Sequence, residues 1–537
     1  MARYKHYDYN QTKMIPLRFA DQIQPGSFEY TLNHVIDNDL DLSVFAQRYR
    51  NDTNGAPAYD PAILLKIVLF AYSRGITSSR KIEQACRENV LFMALSADSQ
   101  PHFSTIADFV TRMDEGIKPL FTHVLMVCNQ MGLIGREMFA IDGCKLPSNA
   151  SKEWSGTHAE LTRKQQKIDR AVERMLASHR SDDQRPEPEI QVRQEAQIKK
   201  LKQASDKIQQ YLETEPERLG RGKCPKPVKG NITDPESAKM KTSKGTIQGY
   251  NGIAAVDSKH QIIVHAQAYG EGPEQHALVP MLLGIKRQLQ QASGDDRRIL
   301  QTAQFTADSG FHSEGKMKSL SKLGVNGYIA DNQFRKRDPR FIDSTTYQEE
   351  QAKRQKERGY ASSKRFVLAD FDYDPIAVSC RCPAGNLMWC SMNNGQINGR
   401  KATSFQGYRK DCRICPLKAQ CLRKPDQKDG RQVTYFDKSE RQERSYMDRM
   451  TRWPGAIWRE ARRVSLRDEA NKDKIDSPMG RHIYSQRLGT VEPVFGNLEV
   501  NKGLKRFTLR GKVKVNAQWL MFCMVHNIEK IATQGQQ

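Results

Sequence analysis

Three acidic residues in this chain sit where carboxylates could act together. In "EMFAIDGCKL" the apolar run Met138 to Ile141 ends on Asp142 and turns through Gly143. In "QFTADSGFHSE" a second apolar run ends on Asp308 and turns through Ser309 and Gly310. A single aspartate at a strand end is ordinarily a turn former or a helix cap. Two with the same local grammar suggest more, because strands ending in carboxylates at one sheet edge supply the oxygen donors that Mg²⁺ takes. A third carboxylate lies far downstream, at Glu492 in "SQRLGTVEPVFGNLEV", within a helix-like apolar period of Val491, Val494, Phe495 and Leu498. Arg487 precedes it, and Lys502, Lys505 and Arg506 follow, which suits a site that handles both metal and phosphate. Two ions about 4 Å apart would activate a nucleophile and steady the leaving oxygen of a phosphodiester. His312 and Glu314, just past Asp308, are read as support for that strand end.

A second constellation is made of sulfur. Of 11 cysteines, more than half fall between Cys380 and Cys421, a clustering that fits metal binding in a reducing compartment better than a secreted disulfide framework. The C-x2-C of Cys412 and Cys415, with Cys421 close behind and Cys382 upstream, has structural zinc spacing, so these four are the candidate Zn²⁺ ligands. The basic tract from "FRKRDPRF" to "KRQKERGYASSKRF" in the same region is a DNA-facing candidate.

The elements that must position these groups follow from periodicity and punctuation. "YDPAILLKIVLFAYSRGITSSRKIEQACRENVLFMALS" predicts two helices, the first capped by Asp60 with Pro61 at its first position and closed by Gly75. "HFSTIADFVTRM" opens a third, with Ser104 or Thr105 near its cap, and short helices with tight turns suit a helix-turn-helix type unit. Residues 157 to about 220 are rich in Lys, Gln and Glu, with Ile198, Leu201, Ile208 and Leu212 near one helical face. They predict a charged helical hairpin, broken at "RSDDQRPEPE". Tyr250 to Val256 and Gln261 to Ala268 predict a β-hairpin across "DSKH", followed by a helix, the Asp308 strand, a short basic helix and a last strand. If the two aspartate-bearing strands are parallel neighbours, this mixed sheet brings both carboxylates to one edge.

Bulk properties set the class. At 537 residues the chain exceeds one simple core and suggests two to four structural units. Lys and Arg number 85 against 62 Asp and Glu, a net charge of +23, which points to a phosphate-bearing partner. Mean hydropathy is −0.71, no apolar run reaches a membrane span, and "MARYKHYDYNQTKMIPL" lacks a signal-peptide core. The expectation is a soluble protein of the cytoplasm, associated with the nucleoid, with no membrane partner.

Four blocks together resemble the insertion-sequence transposases of the DDE class, over nearly the whole chain. "DPAILLKIVLFAYSRGITSSRKIEQACREN" is similar to the N-terminal domain of one large branch of these enzymes. "AIDGCKLPSNAS", "FTADSGFHSE" and "YSQRLGTVEPVFGNLEVNKGLKRFTLRG" resemble the blocks that carry the first Asp, the second Asp and the Glu. The last is the most specific, because Tyr484, Arg487 and Glu492 recur in fixed order. Four residues rather than the usual three separate Arg487 from Glu492, and Glu499 stands where the family has a lysine, which makes Lys502 the nearest substitute.

The resemblance implies an α/β, RNase H-like mixed sheet flanked by helices, with an all-α N-terminal domain and two insertions. It implies Asp142, Asp308 and Glu492 as catalytic residues binding Mg²⁺ or Mn²⁺, with Tyr484 and Arg487 contacting the transposon end or ordering the Glu-bearing helix. Lys502, Lys505 and Arg506 join them as DNA-binding candidates. The expected organisation is a helical DNA-binding domain at 1–125 and a catalytic core in three parts, 126–156, 226–335 and 476–537. A charged helical insertion at 157–225 and a basic, Cys-rich insertion at 336–475 interrupt it. The implied activity is metal-dependent cleavage and strand transfer at the ends of an insertion sequence, by a homodimer on double-stranded DNA. A nuclease without strand transfer, or a non-catalytic DNA-binding protein on the same scaffold, are the alternatives.

Overall fold

The run Met138 to Ile141 is the centre of a sheet. Strand β1 (Met138–Pro147) buries its first four residues completely, as a strand covered on both faces does. The computed structural model describes residues 18–48, 57–114, 116–181, 188–220, 225–242, 245–294, 298–331, 334, 366, 368–397, 400–422, 427, 429–436 and 474–535. The chain divides into two units, Met1–Asn332 with Met450–Gln537, and Gln333–Arg449.

In the first unit a helical region precedes β1. Helix α1 (Phe28–His34) is capped by the Ser27 hydroxyl, which accepts from Tyr30 N. Helix α2 (Pro61–Ser73) is capped by Asp60, which accepts from Ala62 N at 2.7 Å, and Gly75 leaves it at a φ of +72°. Residues 64–72 of α2 are all buried, which makes it an interior helix rather than an amphipathic surface one. The stretch expected to hold two helices holds three. After α3 (Ser79–Glu88), the Asn89 side chain accepts from Leu91 N and Phe92 N and starts a separate helix, α4 (Val90–Leu95). Helix α5 (Phe103–Thr111) is capped not by Ser104 or Thr105 but by His102, whose ring nitrogen accepts from Ser104 N. Helix α6 (Ile117–Gln130) then leads to β1.

Between β1 and the remaining strands lies the charged hairpin. A two-residue bridge of β2 (Ser155–Gly156) and β3 (Gly230–Asn231) closes its base. Helices α7 (His158–Ser181) and α8 (Pro188–Thr214) bury a seam that includes Leu161, Val172, Ile198, Ile208 and Tyr211, supported by a hydrogen bond from Ser205 Oγ to Asp169.

The sheet itself has a definite order. The long β5 (Gly245–Asp257) runs antiparallel to β1, and its other edge carries β4 (Ala238–Thr242) and β6 (Ile263–Tyr269), both antiparallel to it. On the opposite side of β1, β7 (Gln304–Ala307) and then β8 (Gly327–Ile329) pair in parallel. Helix α9 (Leu278–Ser293) and the short α10 (Ile299–Thr302) precede β7, and α11 (Glu314–Lys322) links it to β8.

In the second unit, β9 (Asp372–Asp374), β10 (Ser379–Arg381), β11 (Leu387–Ile397), β12 (Arg400–Gln406) and β13 (Gln432–Phe436) form one antiparallel sheet in the order β13-β12-β11-β10-β9. Two short helices, α12 (Arg409–Ile414) and α13 (Lys418–Cys421), stand between its last two strands. Its core cluster is small: Phe371, Cys380, Met388, Phe405 and Val433. The basic tract expected to face DNA lies outside the described residues, apart from its end residues Phe334 and Phe366.

Two C-terminal helices of the first unit, α14 (Pro478–Gly496) and α15 (Lys512–Gln534), complete the description. Helix α15 seals the free edge of β6 with two asparagines spaced three turns apart. Asn516 bonds the main-chain N and O of Ala268, and Asn527 those of Ile263, so a strand edge that would otherwise expose unpaired groups is satisfied. Its Trp519 lies over Gly252 of β5, where an added Cβ would meet the indole at 3.2 Å, and donates to Ile253 O. No helix among the described residues is long and apolar enough to cross a membrane.

Candidate active site

The parallel register of β1 and β7 sets Ile141 beside Ala307, so Asp142 and Asp308 follow as neighbours where β7 ends, while β1, expected to turn at Gly143, continues to Pro147 because β5 still pairs with it. Asp308 leaves its strand at once and caps a 3-10 turn, Ser309–Phe311, by accepting from Gly310 N at 2.9 Å. Asp142 stays in its strand, where Oδ1 accepts from Gly143 N at 2.8 Å and Oδ2 accepts from Arg487 Nη1 at 2.6 Å.

Arg487 reaches Asp142 because α14 lies along β1. Ser477 caps that helix, Pro478 begins it, and Ile483 packs on Met138 and Tyr328 at the start of the sheet. One turn further, the buried Arg487 meets the carboxylate, with Tyr484 beneath its guanidinium at 5.7 Å. Burial pushes the Asp142 carboxyl up; Arg487 pulls it back down only in part, while Asp308 pushes the same way as burial. Burial opposes the charge on Arg487, but Asp142, Tyr484 and Asp308 together outweigh that and hold its pKa up.

A further acid meets these two that no sequence pattern singled out. Glu274 lies in the 3-10 turn Glu274–His276 ahead of α9, inside "GEGPEQH", which reads as loop. Its Oε1 accepts from Asn251 Nδ2 at 3.1 Å and pairs with Lys145 Nζ at 3.4 Å. Burial raises its pKa, Lys145 and Asn251 oppose the rise, and both Asp308 and Asp142 add to it. Gly310 leaves room for this approach: a Cβ there would sit 2.4 Å from Glu274 Oε2 and 3.1 Å from Asp308 Oδ1.

The remaining expected residues are placed differently. Glu492 is exposed on α14, roughly 140° around the helix from Arg487, and has no hydrogen bond or ion pair among the described residues. Lys502 is buried, its ammonium on Glu529 Oε2 at 2.7 Å and facing Asn497 Oδ1. Lys505 and Arg506 are exposed, and Arg506 donates to Asn149 Oδ1 at 3.1 Å, beside the loop that leaves β1. His312 follows the 3-10 turn of Asp308, and Glu314 begins α11.

No three acidic, histidine or cysteine side chains among the described residues stand close enough to cage an ion. For Mg²⁺ that is not a requirement, since one or two carboxylates with waters and substrate phosphates hold it. The chemistry of the donors fits such a hard cation: the carboxylates of Asp142 and Glu274, both with a pKa raised by burial, face that of Asp308, and a divalent ion would relieve their mutual repulsion.

In the second unit, Cys382, Cys412, Cys415 and Cys421 line one pocket, with Phe366, Met388 and Arg431 among its other walls. All four are free thiols. Burial pushes Cys421 up to about 11, with Cys412, Cys382 and Cys415 adding to the rise against Arg431. Cys380 is in the core instead, and Cys390 is exposed.

A family model described as a transposase domain (DUF772) matches residues 17–112, and one described as a transposase DDE domain matches residues 381–465 and 458–532. The chain is an insertion-sequence DDE transposase. No curated protein matches it, and no solved structure does. The DDE match takes in Tyr484, Arg487, Glu492 and the four pocket cysteines, whereas Asp142 and Asp308 precede the matched residues. DDE transposases act on DNA and generally use divalent metals, which agrees with the basic charge of this one.

Proposed function

We propose that this transposase cuts DNA at the ends of its insertion sequence and joins the freed 3′-hydroxyl to target DNA, using divalent metal ions held by Asp142 and Asp308. The observation that carries the reading is the adjacency of these two carboxylates on neighbouring parallel strands, Asp142 within β1 and Asp308 just past the end of β7, with Arg487 clamped on Asp142. Mg²⁺ or Mn²⁺, when bound, supplies the charge that activates the attacking oxygen and stabilises the leaving one. The strand order supports an RNase H-like core: β6, β5 and β1 are antiparallel, and β1, β7 and β8 are parallel. Glu492 enters this reading as the third acid on the resemblance alone.

The residues of the chain have their own tasks in it. Asp142 and Asp308 present oxygens at a strand edge that the 3-10 turn after Asp308 keeps open. Arg487 fixes the rotamer of Asp142 and leaves its other lone pairs available. Lys505 and Arg506 are exposed beside the loop that follows β1 and suit contact with DNA phosphates. Tyr484, under the Arg487 guanidinium, orders the helix that carries it. A homodimer on DNA would bring the two ends together. In the second unit we assign the thiols of Cys382, Cys412, Cys415 and Cys421 to a structural Zn²⁺: they line one pocket of a unit with a small core, and the ion would draw in thiols of which no three stand at caging distance in the structure.

The test uses purified full-length protein with DNA carrying the element's own ends, a target plasmid and Mg²⁺ or Mn²⁺. End cleavage and strand transfer are expected, and both should vanish in Asp308→Asn, which keeps the turn cap but loses the charge. Undiminished cleavage by that variant would refute the reading; cleavage without transfer in the wild type would make it a nuclease.

A further inference from the structure

We propose that Glu274 is a ligand of the divalent-metal site, sharing an ion with Asp308 across Gly310. The inference rests on the metal-site reading above and adds a residue to it. Glu274 Oε2 and Asp308 Oδ1 both flank the point where a Cβ of residue 310 would lie, at 2.4 Å and 3.1 Å. They can therefore be no farther apart than those two distances added together, close enough for one hydrated ion to touch both. Glycine at 310 is what permits it, because any side chain there would wedge between the two oxygens.

The surroundings hold Glu274 in this place. Lys145 and Asn251 both engage Oε1, which leaves Oε2 turned towards Asp308. Asn251 is itself buried in full, and its Oδ1 has no hydrogen-bond partner among the described residues. That oxygen lies over Gly143, the residue after Asp142, where an added Cβ would come within 2.8 Å of it. A buried, unpaired amide oxygen is costly, and its position between Glu274 and the Asp142 strand suits a water carried by a hydrated ion.

Charge balance points the same way. Asp142, Asp308 and Glu274 gather three carboxylates against the two cations Arg487 and Lys145. Desolvated like charges persist at a site when something positive completes it. Glu492, by contrast, is exposed and carries no such contacts.

The test is Mn²⁺ binding by full-length protein without DNA, followed by electron paramagnetic resonance of the free ion. Glu274→Gln keeps the acceptor for Asn251 and should weaken binding at least about tenfold, as loss of a metal-site partner does. Glu195→Gln, exposed on α8 of the charged hairpin, should bind within about twofold of the wild type. Gly310→Ala, which separates the two oxygens without removing a charge, should also weaken binding and decides the matter if Glu274→Gln does not fold. Wild-type affinity in both Glu274→Gln and Gly310→Ala overturns the proposal. If Asp308→Asn also binds as the wild type, or the wild type binds no Mn²⁺, the metal-site reading itself falls; if Asp308→Asn alone loses Mn²⁺, only the assignment of Glu274 does.

Discussion

Replacing Arg487 with methionine removes the one guanidinium that meets Asp142 and keeps much of the aliphatic stem. The pair is short, 2.6 Å, and its side chains are only 10% and 24% exposed, so water does little to screen it. With charge centres about 4 Å apart and an effective dielectric near 20, the attraction is about 4 kcal/mol. Breaking a buried pair from one side costs about 3–5 kcal/mol, because the other charge stays behind. Here the cost has a ceiling set by pH, since Asp142 can take up a proton. Its folded pKa is already raised by burial, so the ionised group weighs against folding above that pKa and ceases to as pH falls below the unfolded value. Removing Arg487 raises the folded pKa further and widens that window upward. Urea melts should therefore show a loss of about 3–5 kcal/mol near pH 8, shrinking by roughly 1.4 kcal/mol per unit as Asp142 becomes protonated on the acid side. Combining the change with Asp142→Asn should restore most of the loss. A loss under about 1 kcal/mol near pH 8, or a double variant that simply adds the two single losses, would show that Arg487 does not carry this carboxylate.

Lys474 offers a second pH test. Its ammonium is buried on Asn326 Oδ1, Gly327 O and the Tyr328 ring, and burial lowers its pKa to about 7. A lysine with a depressed folded pKa destabilises the fold fully below that value and less as pH rises towards the unfolded one. The stability of the wild type relative to Lys474→Met should thus rise by about 2 kcal/mol between pH 7.5 and 9.5; a flat difference in paired urea melts would refute the burial argument. Metal analysis of the purified transposase should find about one zinc per chain, lost in Cys412→Ser with Cys415→Ser. Zinc-free protein, or zinc retained by that double variant, removes the structural-zinc assignment.

Much of the scaffold of the site is local and therefore readable from the chain itself. The apolar run before each aspartate does form a strand, and β7 ends before Asp308 as expected, but β1 carries on through Asp142 and Gly143 to Pro147 because β5 continues to pair with it. Asp60 with Pro61 starts α2 for equally local reasons, and the 3.6-residue stripe of Ile198 and Ile208 marks one side of the charged hairpin. Where local signals mislead, a competing contact explains it. Asn89 divides one expected helix into two because its side chain can satisfy the first amides of a new one. His102 displaces Ser104 and Thr105 as a cap because its ring nitrogen accepts from the Ser104 amide and so starts the helix at Phe103.

What the sequence determined alone was the inventory: two aspartates each preceded by an apolar strand, a basic chain suited to DNA, clustered thiols, and a helix carrying Arg487 and Glu492. Tertiary structure decided which of these meet. Periodicity states that residues share a helix but not the phase in which that helix is laid on a sheet, so it cannot say that Arg487 turns inward while Glu492 turns out. Lys502, one of several cations in the same stretch, is drawn inside by Glu529, a pairing between two helices. Glu274 sits in a loop with no pattern of its own, and only the packing of that loop against Asn251, Lys145 and Gly310 brings its carboxylate to Asp308. Such placements depend on contacts between residues distant in the chain, and a one-dimensional spacing carries no record of them.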